Sequence, residues 1–115
     1  MTSDAHFEAV ESEQSGMPVL RAQGEIDVAS APEFHASLSD LIREDTEILI
    51  VDLSEVSFMD STGLGVLVGV EKQMSEAGHE MRLVVTQPQI TRLLELTGLN
   101  EVFTIVSSRK DAVRT

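Results

Sequence analysis

The four residues Ile48-Leu49-Ile50-Val51 are apolar without a break, and most of them branch at Cβ. A strand with one wet face alternates apolar and polar residues, so an unbroken run reads as side chains covered on both faces. Such a segment belongs inside a parallel or mixed sheet with layers packed on it, and the rest of the chain has to supply those layers.

The flanking segments do so. His6 to Glu13 is polar and alternating, which suits an edge strand. Gly16 marks a turn, and Val19 to Gly24 reads as a second strand pairing with the first as a hairpin. Ser30-Ala31-Pro32-Glu33 has the form of a capping box with proline in the first turn. Phe34, Leu38, Leu41 and Ile42 then recur at helical spacing. After the apolar run, Asp60-Ser61 opens a second helix with Leu64, Leu67, Val68 and Met74 facing inward and Gly78 near its stop. Leu83-Val84-Val85 is a short buried strand. Thr86-Gln87-Pro88-Gln89 repeats the capping-box pattern before a helix whose inner face is Ile90, Leu93, Leu94 and Thr97. Gly98-Leu99 has the form of a Schellman ending. Val102 to Val106 is the last strand, and the basic tail, Arg109 to Thr115, continues as a short helix or frays. The order is β-β-α-β-α-β-α-β with an optional final helix. It predicts an α/β fold: a mixed, mostly parallel sheet with an N-terminal hairpin and packed helices.

At 115 residues, 42 % of them hydrophobic, the chain has the size and apolar content of one globular domain, expected to span 1–115. It has no cysteine, which excludes disulfides, zinc thiolate sites and cysteine nucleophiles. A reducing cytoplasm fits that composition. Met1 to Glu13 carries acids and no apolar run, so no signal peptide is expected. The longest apolar stretch, Leu64 to Val70, is far short of a membrane span. The net charge is −12, and residues 1–60 hold 14 acids against the two bases Arg21 and Arg43. Nucleic acid and anionic membrane are repelled by such a surface, and a basic protein surface is attracted.

The informative stretch runs from Val51 to Gly65. A buried strand leads into a loop that delivers Asp60-Ser61-Thr62-Gly63 to a helix N-terminus, where unpaired N–H groups favour anions. A hydroxyl there can accept a phosphate, and Gly63 and Gly65 are expected to keep the first turn bare for a partner. Capping by Asp60 or Ser61 is the ordinary reading of the same residues. Enzyme readings fit poorly. Met59 stands where a nucleophile elbow needs glycine. Gly63, Gly65 and Gly69 have the wrong spacing for a dinucleotide fingerprint. His6, His35 and His79 have no ligand-like spacing. No cofactor or metal is implied.

The segment Asp52-Leu-Ser-Glu-Val-Ser-Phe-Met-Asp60-Ser61-Thr-Gly-Leu64 resembles the signature of the STAS domain, in its anti-sigma factor antagonist branch. Gly24-Glu25-Ile26-Asp27 and Leu96-Thr97-Gly98-Leu99 resemble two further motifs of that family. The resemblance implies a bacterial regulator of transcription that is not itself an enzyme. Unphosphorylated, it binds an anti-sigma factor that is also a serine kinase, and so frees a sigma factor. Phosphorylation at Ser61 switches it off, and a PP2C-type phosphatase reverses that. The resemblance further implies that Asp27, Asp60, Ser61, Thr62, Gly63 and Leu64 form or border the partner-binding face, with Thr62 a second hydroxyl beside the phosphosite. The chain is expected to be a monomer when free. The competing readings are a STAS scaffold or accessory subunit of a larger complex, and a hydrolase using Ser61.

Overall fold

The computed structural model describes residues 6–114. Residues 1–5 of the expected leaderless N-terminus, and Thr115 of the basic tail, lie outside the described residues. Strands β1 (Glu8–Gln14) and β2 (Met17–Ile26) form an antiparallel hairpin. Its two-residue turn, Ser15 and Gly16, has positive φ at both positions (51° and 83°), the twist a tight hairpin requires. Helix α1 (Ala31–Leu41) leads to β3 (Ile48–Met59), α2 (Ser61–Glu76) to β4 (Glu80–Val84), and α3 (Pro88–Thr97) to a 3-10 turn (Leu99–Glu101) and β5 (Thr104–Val106). A last short helix, α4 (Arg109–Ala112), closes the described chain. The sheet order is β1-β2-β3-β4-β5, with every pair after the hairpin parallel.

The apolar run in β3 lies between two layers, as its composition requires. Leu49 and Val51 point into the main core with Leu20, Leu83, Phe34 and Leu38 of α1, Leu67 of α2 and Leu94 of α3. Ile50 points the other way and meets Val19, Val84 and Ala112 of α4. Phe34 has no exposed surface and meets Phe7 edge-on at 6.1 Å. Burying a ring of that size is worth about 2–3 kcal/mol. On the second face the guanidinium of the buried Arg82 makes four hydrogen bonds. It donates to the carbonyls of Ala112 (2.6 Å) and Arg114 (2.8 Å) and pairs with Glu80 at 3.0 Å. The basic tail is therefore a docked helix over residues 109–112.

Several local expectations are corrected. Neither capping box forms. Ser30 caps nothing because its hydroxyl is engaged with Asp27 and Glu25, and Glu33 is exposed. The second pattern fails because the N-cap is Gln87, without a side-chain cap, and both glutamines reach across to β3. On α2 the inward residue is Val70, while Val68 is 39 % exposed: 67, 70 and 74 keep the helical stripe and 68 lies outside it. Thr97 is exposed, its hydroxyl donating to the Leu93 carbonyl. Ile42 lies beyond the end of α1, as its C-cap. β2 is longer than Val19–Gly24, and β5 begins at Thr104 because Val102 closes the preceding 3-10 turn. Gly98 ends α3 in the left-handed conformation (φ 76°), and Leu99 packs back on the core, as expected.

Candidate functional site

Strand β3 outruns β4. Its pairing with β4 stops at Asp52 opposite Val84, whereas its pairing with β2 continues to Met59 opposite Ile26. Being parallel, β2 and β3 end side by side, and the residues that leave them, Asp27 and Asp60, are delivered to one end of the sheet. The Asp60 N–H donates to the Ile26 carbonyl at 3.2 Å, tying the two exits together.

Asp60 then starts α2. Its backbone is extended (φ −103°, ψ −172°), and its Oδ1 accepts from the N–H of Thr62 at 2.9 Å and of Gly63 at 3.2 Å. Asp60 is thus the cap, and Ser61 is the first helical residue. Ser61 is exposed, with no hydrogen bond from its hydroxyl among the described residues. Thr62 beside it is also exposed. The next two residues turn inward. Leu64 is 6 % exposed and belongs to the core. Gly63 is buried, and a Cβ there would lie 2.7 Å from Ile26 Cγ2 and 2.8 Å from Met59 Cγ. Gly63 therefore seats α2 against the end of β2. The bare glycine of this turn is Gly65, where an added Cβ would meet nothing within 4 Å. The N–H groups of Thr62 and Gly63, expected to receive an anion, already hold a carboxylate.

Asp27 uses its carboxylate on its own loop. Oδ1 accepts from the N–H of Ala29 at 3.0 Å and of Ser30 at 3.1 Å. The Ser30 hydroxyl closes the turn, donating to the Glu25 carbonyl at 2.8 Å and accepting from the Asp27 N–H at 3.0 Å. This Asx turn holds out Val28, 73 % exposed. Behind it, Gly24 has φ 94°, and a Cβ there would collide with the His6 carbonyl, so the glycine lets the segment entering β1 pass close to β2.

The six residues thus separate by direction. Asp27, Asp60, Ser61 and Thr62 reach solvent at one end of the sheet, while Gly63 and Leu64 support them from within. No histidine is hydrogen-bonded to Ser61 among the described residues, and His79 follows the far end of α2, about 24 Å away by helix rise. Sequence reasoning missed Gln87 and Gln89. Their amides donate to the β3 carbonyls of Ser54 and Ser57, each at 3.0 Å. The capping-box pattern concealed them. It also missed the pair of Asp52 with Arg109 at 2.8 Å, 57 residues apart. Burial would raise the Asp52 carboxyl. The hydroxyl and amide of Ser54 and the Arg109 guanidinium outweigh it and hold the group below its ordinary value.

The fold agrees with that of proteins already known. The family model of the STAS domain matches residues 8–112. The chain is 36 % identical over 83 residues to an anti-sigma-B factor antagonist of Staphylococcus aureus, covering 72 % of this chain and 77 % of that one. It is 40 % identical over 82 residues to the protein of that name from Listeria monocytogenes, covering 71 % and 72 %. A crystal structure of an anti-sigma factor antagonist from Mycobacterium paratuberculosis superposes with a TM-score of 0.87 at 25 % identity, over 98 % of this chain and 96 % of that one. The chain belongs to the STAS domain family, among its anti-sigma factor antagonists.

Proposed function

We propose that this protein is an anti-sigma factor antagonist controlled at Ser61. Unphosphorylated, it binds an anti-sigma factor that is also a serine kinase and thereby releases a sigma factor. Phosphorylation of Ser61 by that partner ends the binding, and a PP2C-type phosphatase restores it. The chain is substrate and binding surface, and the catalysis belongs to its partners.

One observation carries this reading: Asp60 takes the cap of α2 and leaves the Ser61 hydroxyl exposed and, among the described residues, unengaged. A serine that capped the helix would have its oxygen committed to backbone N–H groups. Ser61 is free to enter a kinase site without unwinding the helix. Phosphorylation then adds about −1.5 to −2 charges beside Asp60 and Asp27. The nearest helix N–H groups are occupied, so that charge stays on the surface a partner would have to cover. Burying an uncompensated charge costs several kcal/mol, enough to dissolve an interface.

The test is capture from lysate on immobilised Ser61→Ala, followed by incubation of wild-type protein with the captured kinase and ATP. One phosphate on the peptide carrying Ser61, located by fragmentation mass spectrometry, is expected. Phosphate mainly on Thr62, or no capture of a protein with an ATP-binding kinase domain, contradicts the proposal.

A further inference from the structure

The stretch of β3 beyond Asp52 is a strand with one ladder. On the β2 side it stays paired to Met59, but with two irregularities. Between Asp52 and Glu55 the strand spends two residues, Leu53 and Ser54, opposite the single Ala22. Between Val56 and Phe58 it carries Ser57 without a partner. An extra residue in a strand leaves backbone groups outside the ladder and bends the strand. On the other side β4 has already ended, so among the described residues no neighbouring strand is present to take those groups.

Two side chains from one short segment do so instead. Gln87, the N-cap of α3, donates its amide to the Ser54 carbonyl at 3.0 Å. Gln89 donates its amide to the Ser57 carbonyl, also at 3.0 Å. Each glutamine therefore grips one of the two bulged positions, 33 and 32 residues away in the chain. Ser57 is held from the other side as well, its hydroxyl meeting the Gly24 carbonyl at 3.3 Å. Only Phe58 and Met59 separate this second grip from Asp60.

We infer that Gln87 and Gln89 are positioning residues for the Ser61 loop: they replace the missing strand, fix the bend of β3, and so set where Asp60 and Ser61 stand relative to Asp27. Neither touches Ser61, and they act through β3. This rests on the reading of Ser61 as phosphoacceptor for its consequence in function, but the positioning itself is a property of the free chain.

The test uses Gln89→Met, Gln87→Met and the double variant, which keep the length of the side chain and remove the donor. The first readout needs no partner. The amides of Thr62 and Gly63 are protected by Asp60, so their hydrogen exchange reports whether the loop holds its place. In the double variant it should accelerate about five- to tenfold, the effect of losing one or two hydrogen bonds. Leu83 in the middle of β4 should keep its rate. The second readout is phosphorylation by the kinase captured on Ser61→Ala, where kcat/KM should fall about fivefold or more. Restored donation in a Gln89→Lys variant should recover part of both effects. Unchanged exchange at Thr62 and Gly63 overturns the inference, as does equal acceleration at Leu83, which would mean general destabilisation. Gln89 is exposed, so its single variant tests the idea even if the double variant does not fold. Faster exchange with no phosphorylation of wild-type Ser61 would uphold the positioning and overturn the proposed function instead.

Discussion

The Asp60 carboxylate occupies the helix end that the Ser61 side chain would otherwise cap, with Oδ1 2.9 Å from the Thr62 nitrogen. One residue thus carries the structural duty and its neighbour is left without one. Separation of this kind lets a side chain be modified without cost to the fold. It also means that stability and switching can be measured on different residues.

Asp60→Ala should destabilise the domain by about 1 kcal/mol, the usual loss of an N-cap. Ser61→Ala should change stability by less than about 0.5 kcal/mol, as for an exposed residue whose side chain has no partner among the described residues. Urea titrations of both variants against wild type check this. Equal losses would assign the cap to both residues.

The two glycines at the start of α2 should behave oppositely. Gly63→Ala forces a methyl against Ile26 and Met59, closer than 3 Å to each, and should cost about 1–3 kcal/mol. Gly65→Ala enters open space on a helix and should stabilise by up to about 1 kcal/mol. Thermal melts of the pair decide it; a tolerated Gly63→Ala would show that α2 is not seated through that glycine.

Asp52 ties β3 to α4 and gives the fold an acid-sensitive contact. Its carboxyl lies below its ordinary value in the folded protein, so the unfolded chain binds its proton more readily. Its contribution is fully present above the unfolded value of about 4 and is lost as pH falls through the lower folded value. Asp52→Asn should cost about 1–3 kcal/mol at neutral pH. The gap between variant and wild type should close below about pH 4. Arg109→Met should show a large part of the same loss, and the double variant less than the sum. A gap constant with pH would remove the ion pair from the account.

Much of the fold is legible in order and little of it in detail. The unbroken apolar run over 48–51 identified a strand covered on both faces, and Ile50 meets α4 while Leu49 and Val51 meet the helices opposite. The same strand continues to Met59, but Ser54, Glu55 and Ser57 are polar, and bulges break the alternation that would have marked it. Capping boxes failed for a related reason. Local patterns place Ser30 and Gln89 at helix starts, but another carbonyl took each side chain: that of Glu25, near the end of β2, for Ser30 and that of the distant Ser57 for Gln89. At the site, Asp60 and Ser61 could be assigned to a helix start from their neighbours alone. That Asp27 stands beside them depends on β2 and β3 being parallel neighbours, and only the family resemblance pointed to it. Contacts such as Asp52 with Arg109 leave no periodic trace in a sequence.

If the acidic first half of the chain helps recruit the partner, association with the captured kinase should slow as salt rises. Glu8, Glu11 and Glu13 are all exposed on β1, and they belong to the 14 acids of residues 1–60. Stopped-flow association between about 50 and 500 mM salt, over which the screening length shortens about threefold, measures it. A salt-independent rate would leave that charge to solubility alone.

The most direct measurement of the central claim is binding of the captured kinase to wild type, Ser61→Ala and Ser61→Asp by calorimetry, with a thermal melt of each. All three should be folded. Ser61→Ala should bind like wild type, and Ser61→Asp should bind at least tenfold more weakly, about 1.4 kcal/mol, since aspartate carries less charge than phosphate. Ser61→Asp binding as tightly as wild type would contradict the electrostatic switch at Ser61.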